Sequence, residues 1–147
     1  MQPHIQINFL AIGLAVLGSF MLGFLWYSFL FNKSWMKEMG HDGTETATKS
    51  QMFRSLGLNF IGTLLMVWVL SHNQQAWDAR TWGHASNFVS DYYGAFMGAM
   101  FTWIGFYLPQ DLNKISFQNK SWKLFGIDTS YNLCSLLVAA FILTSLK

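Results

Sequence analysis

Four stretches of the chain carry no Asp, Glu, Lys or Arg: residues 1–32, 55–77, 92–110 and 129–146. A helix needs about 20 apolar residues to cross a hydrocarbon layer about 30 Å thick. Each of the four windows is close to that length or longer. In lipid the backbone must satisfy its own polar groups, which makes helix the default, and the ten-residue alternating strands of a barrel are not visible. The expected fold is all-α, an integral membrane four-helix transmembrane bundle. One transmembrane domain covers residues 1–147, with spans at about 7–31, 55–71, 92–109 and 125–146.

Composition supports this reading. Charged residues make up 11% and aromatics 18%, with fourteen Phe and seven Trp. A soluble core of this size could not enclose so many large rings. A net charge of +2 is too small to suggest nucleic acid as a partner. Cys134 is the only cysteine, so no internal disulfide can form. The first apolar run has no basic segment before it and is too long for a signal peptide's apolar region. It reads as a retained span.

Lysine and arginine set the expected orientation. The first and third links hold Lys33, Lys37, Lys49, Arg54, Lys114, Lys120 and Lys123, against Arg80 and Lys147 on the other side. Cationic links stay in the cytoplasm, which places both termini on the outer side of a membrane, expected to be a bacterial inner membrane. Trp26, Trp35, Trp103 and Trp122 then fall near the cytoplasmic boundary, and Trp68, Trp77 and Trp82 near the outer one. Indoles favour the headgroup level, so Lys33, Trp35, Trp103, Lys120, Trp122 and Lys123 are read as interface anchors. The tetrapeptide Asn-Lys-Ser-Trp occurs at 32–35 and again at 119–122. A shared boundary accounts for both copies. Parallel repeats of spans one-two and three-four are the alternative. GSFM at 18–21 and GAFM at 94–97 favour repeats, but they precede the tetrapeptides by 14 and 25 residues respectively.

Ala11, Ala15, Ser19 and Gly23 recur every fourth residue along span one, and Gly94, Gly98 and Thr102 along span three. Such ridges let helices approach closely in lipid. They serve either packing within one chain or a homo-oligomer. Asp128 opens span four, with Asn132 one turn on and Tyr131 beside both. Asn59 lies at similar depth in span two. An intramembrane carboxylate is costly and should turn inward. Asp128 is either a first-turn acid suiting the helix dipole or a group that binds a cation or shuttles a proton. Pro109, followed by Gln110, Asp111 and Asn113, reads as a helix-ending turn whose polar groups are solvated. Trp35, Met36 and Met39 could form a short helix on the membrane surface, interrupted by Gly40 and Gly43 ahead of a Thr-rich connector.

His72, Asp78, His84 and Asp91 share the outer link without any metal-ligand spacing, so no metal and no cofactor is expected. No nucleophile–base arrangement, phosphate-cradling loop or carboxylate pair is recognisable, and no catalytic residue is assigned.

Three segments, GFLWYSFLFNKSWMKEMG at 23–40, TWIGFYLP at 102–109 and SWKLFGIDTSY at 121–131, resemble the domain of unknown function 1761 family. The matching positions are Trp26, Tyr27, Leu30, Phe31, Lys33 and Trp35, then Trp103, Gly105 and Pro109, then Lys123, Leu124, Phe125, Asp128 and Tyr131. The family's first motif commonly has Gly-Pro where this chain has Ser28-Phe29. The resemblance implies a small four-helix membrane protein and brings no reaction, substrate or cofactor. Its positions gather at the cytoplasmic ends of the spans, which suggests a candidate pocket of Trp26, Tyr27, Asn59, Asp128, Tyr131 and Asn132. Three functional classes follow. The first is a non-catalytic bundle that self-associates or serves a membrane-protein partner. The second is a transporter of ions, protons or small solutes using Asp128. The third is a lipid-binding or lipid-modifying protein meeting headgroups at Lys33, Lys120 and Lys123. Membrane lipids are expected partners in all three.

Overall fold

The computed structural model describes residues 3, 5–41 and 48–147, and among these it is helical with no strand. Helix α1 (Phe9–Leu25) starts at Asn8, whose side chain accepts from the backbone N–H groups of Leu10 and Ala11 at 3.0 and 3.1 Å. It runs into a five-residue π-helical turn, Trp26–Leu30, closed by Phe31 N–H on Trp26 O at 2.9 Å. The short helix α2 (Asn32–Glu38) follows and ends near Gly40 at φ +78°. A short helix is therefore present where one was expected, carrying Trp35 and Met36 and ending just before Met39, while Gly43 and the Thr-rich connector lie outside the described residues.

Helix α3 (Lys49–Trp77) begins with a reciprocal cap in which Thr48 and Gln51 satisfy each other's backbone N–H. A short 3₁₀ turn, Ala79–Trp82, leads on to α4 (Asp91–Thr102), which Ser90 caps. A second π turn, Trp103–Tyr107, passes into α5 (Leu108–Gln118). Pro109 thus lies in the first turn of a helix and does not end one, contrary to the sequence expectation. Early in a helix its missing N–H is not needed, and the carbonyl its ring would crowd, that of Gly105, lies in the widened π turn. Helix α6 (Trp122–Ser145) starts at Ser121, which accepts from Leu124 N–H at 3.1 Å.

One sequence of elements occurs twice: helix, π turn opened by Trp, helix of 7 or 11 residues, long helix. The two Asn-Lys-Ser-Trp segments are not equivalent within it. Asn32–Trp35 forms the first turn of α2. Asn119 adopts left-handed φ at the end of α5, Ser121 caps α6, and Trp122 opens that helix. The Trp26 and Trp103 turns, and not the tetrapeptides, are the matching landmarks.

Helix α6 is the central element, packing on α1, α3, α4 and α5. Asn8 Nδ2 donates to Leu146 O at 2.7 Å and Tyr92 Oη meets Ser145 Oγ at 3.2 Å, so α1 and α4 both run antiparallel to α6. The core is built from small side chains, Ala11, Ala15, Ala95, Ala99, Ala139 and Ala140 around Val16, Val67 and Leu136. Large rings such as Phe9, Phe29, Phe53 and Phe101 face outward. A soluble protein would show the reverse. Small residues inside and large apolar ones outside suit lipid, where close backbone approach drives helix association. Among the described residues, three helices are long and apolar enough to cross a membrane: Phe9–Leu30, Lys49–Trp77 and Trp122–Ser145.

The first small-residue ridge is spent within the chain. Ala11, Ala15 and Ser19 are buried, and Ser19 Oγ donates to Ser135 O on α6 at 3.4 Å. Gly23 faces Tyr131, whose hydroxyl would lie 2.8 Å from a Cβ placed there. On α4, Ala95 and Ala99 are the buried small residues. A Cβ at Gly98 would meet nothing within 4 Å, and one at Gly94 would only touch Val89 Cγ2 at 4.0 Å.

Candidate functional site

Where α1 passes into its π turn, the aromatic side chains close around the first turns of α6. Trp26 Nε1 donates to Ile127 O at 3.2 Å, and the neighbouring Tyr27 Oη donates to Asp128 Oδ1 at 3.0 Å. The Tyr131 ring stacks edge-on to Tyr27 with centroids 5.0 Å apart and lies 6.2 Å from Trp26. From the other side Trp103 Nε1 reaches both Thr129 O at 2.9 Å and Thr129 Oγ1 at 3.1 Å. π turns widen the helix and re-aim side chains, and they recur at functional sites. Here both aim an indole at the same stretch of α6.

Next to this aromatic collar lies a second acid. Asp111 on α5 is only 3% exposed; its Oδ1 accepts from Lys114 Nζ at 2.8 Å and its Oδ2 from Asn132 Nδ2 at 2.9 Å. A buried carboxylate requires such partners, because an unpaired one costs several kcal/mol of desolvation. The charges of Asp111, Lys114 and Lys120 all act on Asp128, so the two acids form one electrostatic unit.

Of the six expected pocket residues, Trp26, Tyr27, Asp128, Tyr131 and Asn132 come together. Asn59 does not join them. It sits on an exposed stretch of α3, its carbonyl accepting from Thr63 Oγ1 at 2.9 Å. Asp128 lies in the second turn of α6, since that helix starts at Trp122; the capping role belongs to Ser121. Asp111, expected to be solvated, is buried and central, and Lys114 is its cation. The i, i+3 spacing of Asp111 and Lys114 in LPQDLNKISFQ was the available signal, hidden by the turn-like Pro-Gln-Asp.

The expected anchors divide. Lys33, Trp122 and Lys123 are exposed, and Lys120 is half-buried. Trp35 packs edge-on to Tyr27 at 5.4 Å, and Ser121 Oγ ties α6 to Glu38 Oε2 of α2 at 2.5 Å. Trp103 is half-buried, with its N–H committed to α6.

The opposite end is held by ions. Asp78, buried, accepts from Arg80 Nε and Nη2 at 2.9 and 2.7 Å and from Lys147 Nζ at 3.1 Å. Arg80 Nη2 also reaches Asp91 Oδ2 at 2.8 Å, and Asn87 Nδ2 donates to Asp91 Oδ1 at 2.8 Å. The Arg80 guanidinium, assisted by Lys147, holds the Asp78 carboxyl well below the usual carboxylate range. Asn87 and then Arg80 lower Asp91, and Arg80 itself is pushed above its ordinary value by the two acids. Two cavities adjoin this cluster. One of about 730 Å³ has Asn8, Ser71, Gln75 and Arg80 in its wall, and one of about 410 Å³ lies between α3 and α4. Neither is lined by Asp128.

Among the described residues, three apolar helices long enough to span a membrane, small residues in the core and large ones on the surface make up the pattern of a membrane protein. Its family follows from comparison: the chain belongs to the family described as Protein of unknown function (DUF1761), whose model matches residues 10–144. That match takes in both π turns, Asp111 and Asp128. No curated protein and no solved structure matches the chain.

Proposed function

We propose that the chain crosses the bilayer four times, α4 with its π turn providing the crossing added to the three membrane-length helices. The basic links face the cytoplasm and both ends of the sequence lie outside, in a bacterial inner membrane. In that setting it is a non-catalytic helical module that self-associates or serves as an accessory subunit among membrane lipids. The exposure of α3 carries this reading. Of that long helix only Thr63, Val67, Leu70 and Ser71 are buried, and its apolar surface from Phe53 to Val69 is otherwise open. Crosslinking in native membranes tests it; a monomer-only pattern, with no co-purifying subunit, overturns it. Topology is read separately from Lys120→Cys on a Cys134→Ala background, which should be labelled only from the cytoplasmic side.

One observation favours a second reading, in which Asp128 serves ion or proton coupling. Its hydrogen-bond partner is the neutral Tyr27 hydroxyl, while Lys114 is committed to Asp111. Intramembrane acids are functional often enough for this to matter. Under that reading Asp128→Asn abolishes proton-dependent flux in proteoliposomes while the protein stays folded. Equal flux from wild type, variant and empty vesicles removes it.

A further inference from the structure

The 410 Å³ groove between α3 and α4 has the form of an amphiphile. Its floor is the Gly94–Gly98–Thr102 face of α4, and its walls are apolar, with Leu70 and Phe101 on opposite sides. Among the described residues nothing lies within 4 Å of a Cβ placed at Gly98. Asp91 and Phe106 both line it, so it follows α4 and most of the π turn after it, roughly 20 Å at up to about 1.5 Å per residue. That exceeds one leaflet of a hydrocarbon core about 30 Å thick. Charge occurs at one end only, where Asp78, Asp91 and Lys147 line the groove and Arg80 bonds both acids.

We propose that this groove holds one acyl chain of an ethanolamine glycerophospholipid, its zwitterionic head at the Asp91–Lys147 end. The inference rests on the four crossings argued above, which place that end at the outer headgroup level. Both signs of charge stand side by side there: the ammonium of the head meets Asp91, and its phosphate meets Lys147. Thr144 supplies an independent mark. It lines the groove one turn below Lys147, is 8% exposed, and its Oγ1 has no hydrogen-bond partner among the described residues. The carbonyl one turn back, Ala140 O, already accepts from Gln74 Nε2 at 3.1 Å. Threonine in a helix has two accessible χ1 rotamers, and an ester carbonyl just below the phosphate is the acceptor its hydroxyl lacks. A helix from a second copy fits less well. At about 10 Å across, only about one turn of it occupies 410 Å³.

The test is native mass spectrometry of the delipidated full chain, titrated with ethanolamine or glycerol phospholipid. One ethanolamine lipid per chain should bind, ahead of the anionic glycerol lipid. Gly98→Leu, which fills the groove while favouring helix, should weaken binding about tenfold, a change of about 1.4 kcal/mol. Thr144→Val should weaken it less. Gly13→Leu, on an open face of α1 outside the groove, should leave it unchanged. Wild-type binding by a Gly98→Leu protein of unchanged helicity overturns the proposal. So does equal binding of the two lipids, or a second protein chain whose retention Gly98→Leu abolishes. Failure of the four crossings is read independently, from Asn87→Cys and Lys120→Cys on the Cys134→Ala background becoming labelled from the same side.

Discussion

Trp26 and Trp103 grip α6 from two sides, their indole N–H groups donating to the carbonyls of Ile127 and Thr129 at 3.2 and 2.9 Å. Those carbonyls flank Asp128 in sequence. Two donors fixed to carbonyls two residues apart, roughly 200° around the helix from each other, set its rotation, and that rotation directs Asp128 toward Tyr27. Replacing either indole by Phe keeps an aromatic ring but removes the donor. Trp26→Phe should cost about 0.5–1.5 kcal/mol of stability in detergent unfolding, the usual net value of one hydrogen bond. Trp103→Phe should cost more, because its N–H serves Thr129 Oγ1 as well. Trp122→Phe, at a position 68% exposed, should leave unfolding unchanged.

The glycines of α1 and α4 separate by what a methyl group would meet. At Gly23 a Cβ would lie 2.8 Å from the Tyr131 hydroxyl, at the end of a rigid ring packed beside Trp26 and Tyr27. Gly23→Ala should therefore cost about 1–3 kcal/mol, the range for overpacking. At Gly18 the clash is with Ile142 Cδ1, the tip of a flexible chain, and Gly18→Ala should be close to neutral. Gly98→Ala meets nothing and should stabilise by up to about 1 kcal/mol through helix propensity. Thermal unfolding of the three variants in one detergent gives the order.

Much of this arrangement was legible because it follows from a few strong signals. Charge-free windows locate the long helices, since lipid tolerates neither unpaired charge nor unpaired backbone. The Trp26, Tyr27, Asp128 and Tyr131 grouping was also readable, because those residues mark the same ends of their helices. Asp111 was not. Pro109 punctuates a sequence in the way a helix end does, and only the preceding π turn lets the helix continue and carry Asp111 inward. Asn59 misled for a different reason. Depth along a span says nothing about which way a side chain faces, and this part of α3 is exposed. The repeated tetrapeptide drew the eye to the wrong register, because four identical residues can start a helix in one place and straddle a helix break in another.

The Asp111 ion pair should be asymmetric under mutation. Lys114 is 42% exposed and stays solvated when its partner is neutralised, so Asp111→Asn should cost little. Lys114→Met instead leaves a carboxylate only 3% exposed with Asn132 as its remaining side-chain partner. Its cost should be about 1–3 kcal/mol, the penalty for an unsatisfied buried group, discounted for the exposed half of the pair. The double variant should recover most of that loss, because it removes the stranded charge. If Asp111→Asn proves the more damaging single change, the carboxylate has a partner beyond Lys114 and Asn132.

Acid should act first at the opposite end of the molecule. Asp78 has a folded pKa depressed by Arg80 and Lys147, so its ionised form favours the folded chain. That contribution is fully present above the unfolded value of about 3.9 and is lost as pH falls through the lower folded value. Asp91, lowered by Asn87 and Arg80, adds in the same direction. The melting temperature in detergent should therefore decline once pH drops below about 4, where the unfolded chain takes up the proton first, and the decline should level off as folded Asp78 itself protonates. Asp78→Asn should start from a lower melting temperature near neutral pH and lose less on acidification. Raising ionic strength should narrow the gap only slightly, because Asp78 is 5% exposed and largely shielded from screening, although Arg80 is 45% exposed. An Asp78→Asn protein with the wild-type acid profile would place the acid-sensitive contacts elsewhere.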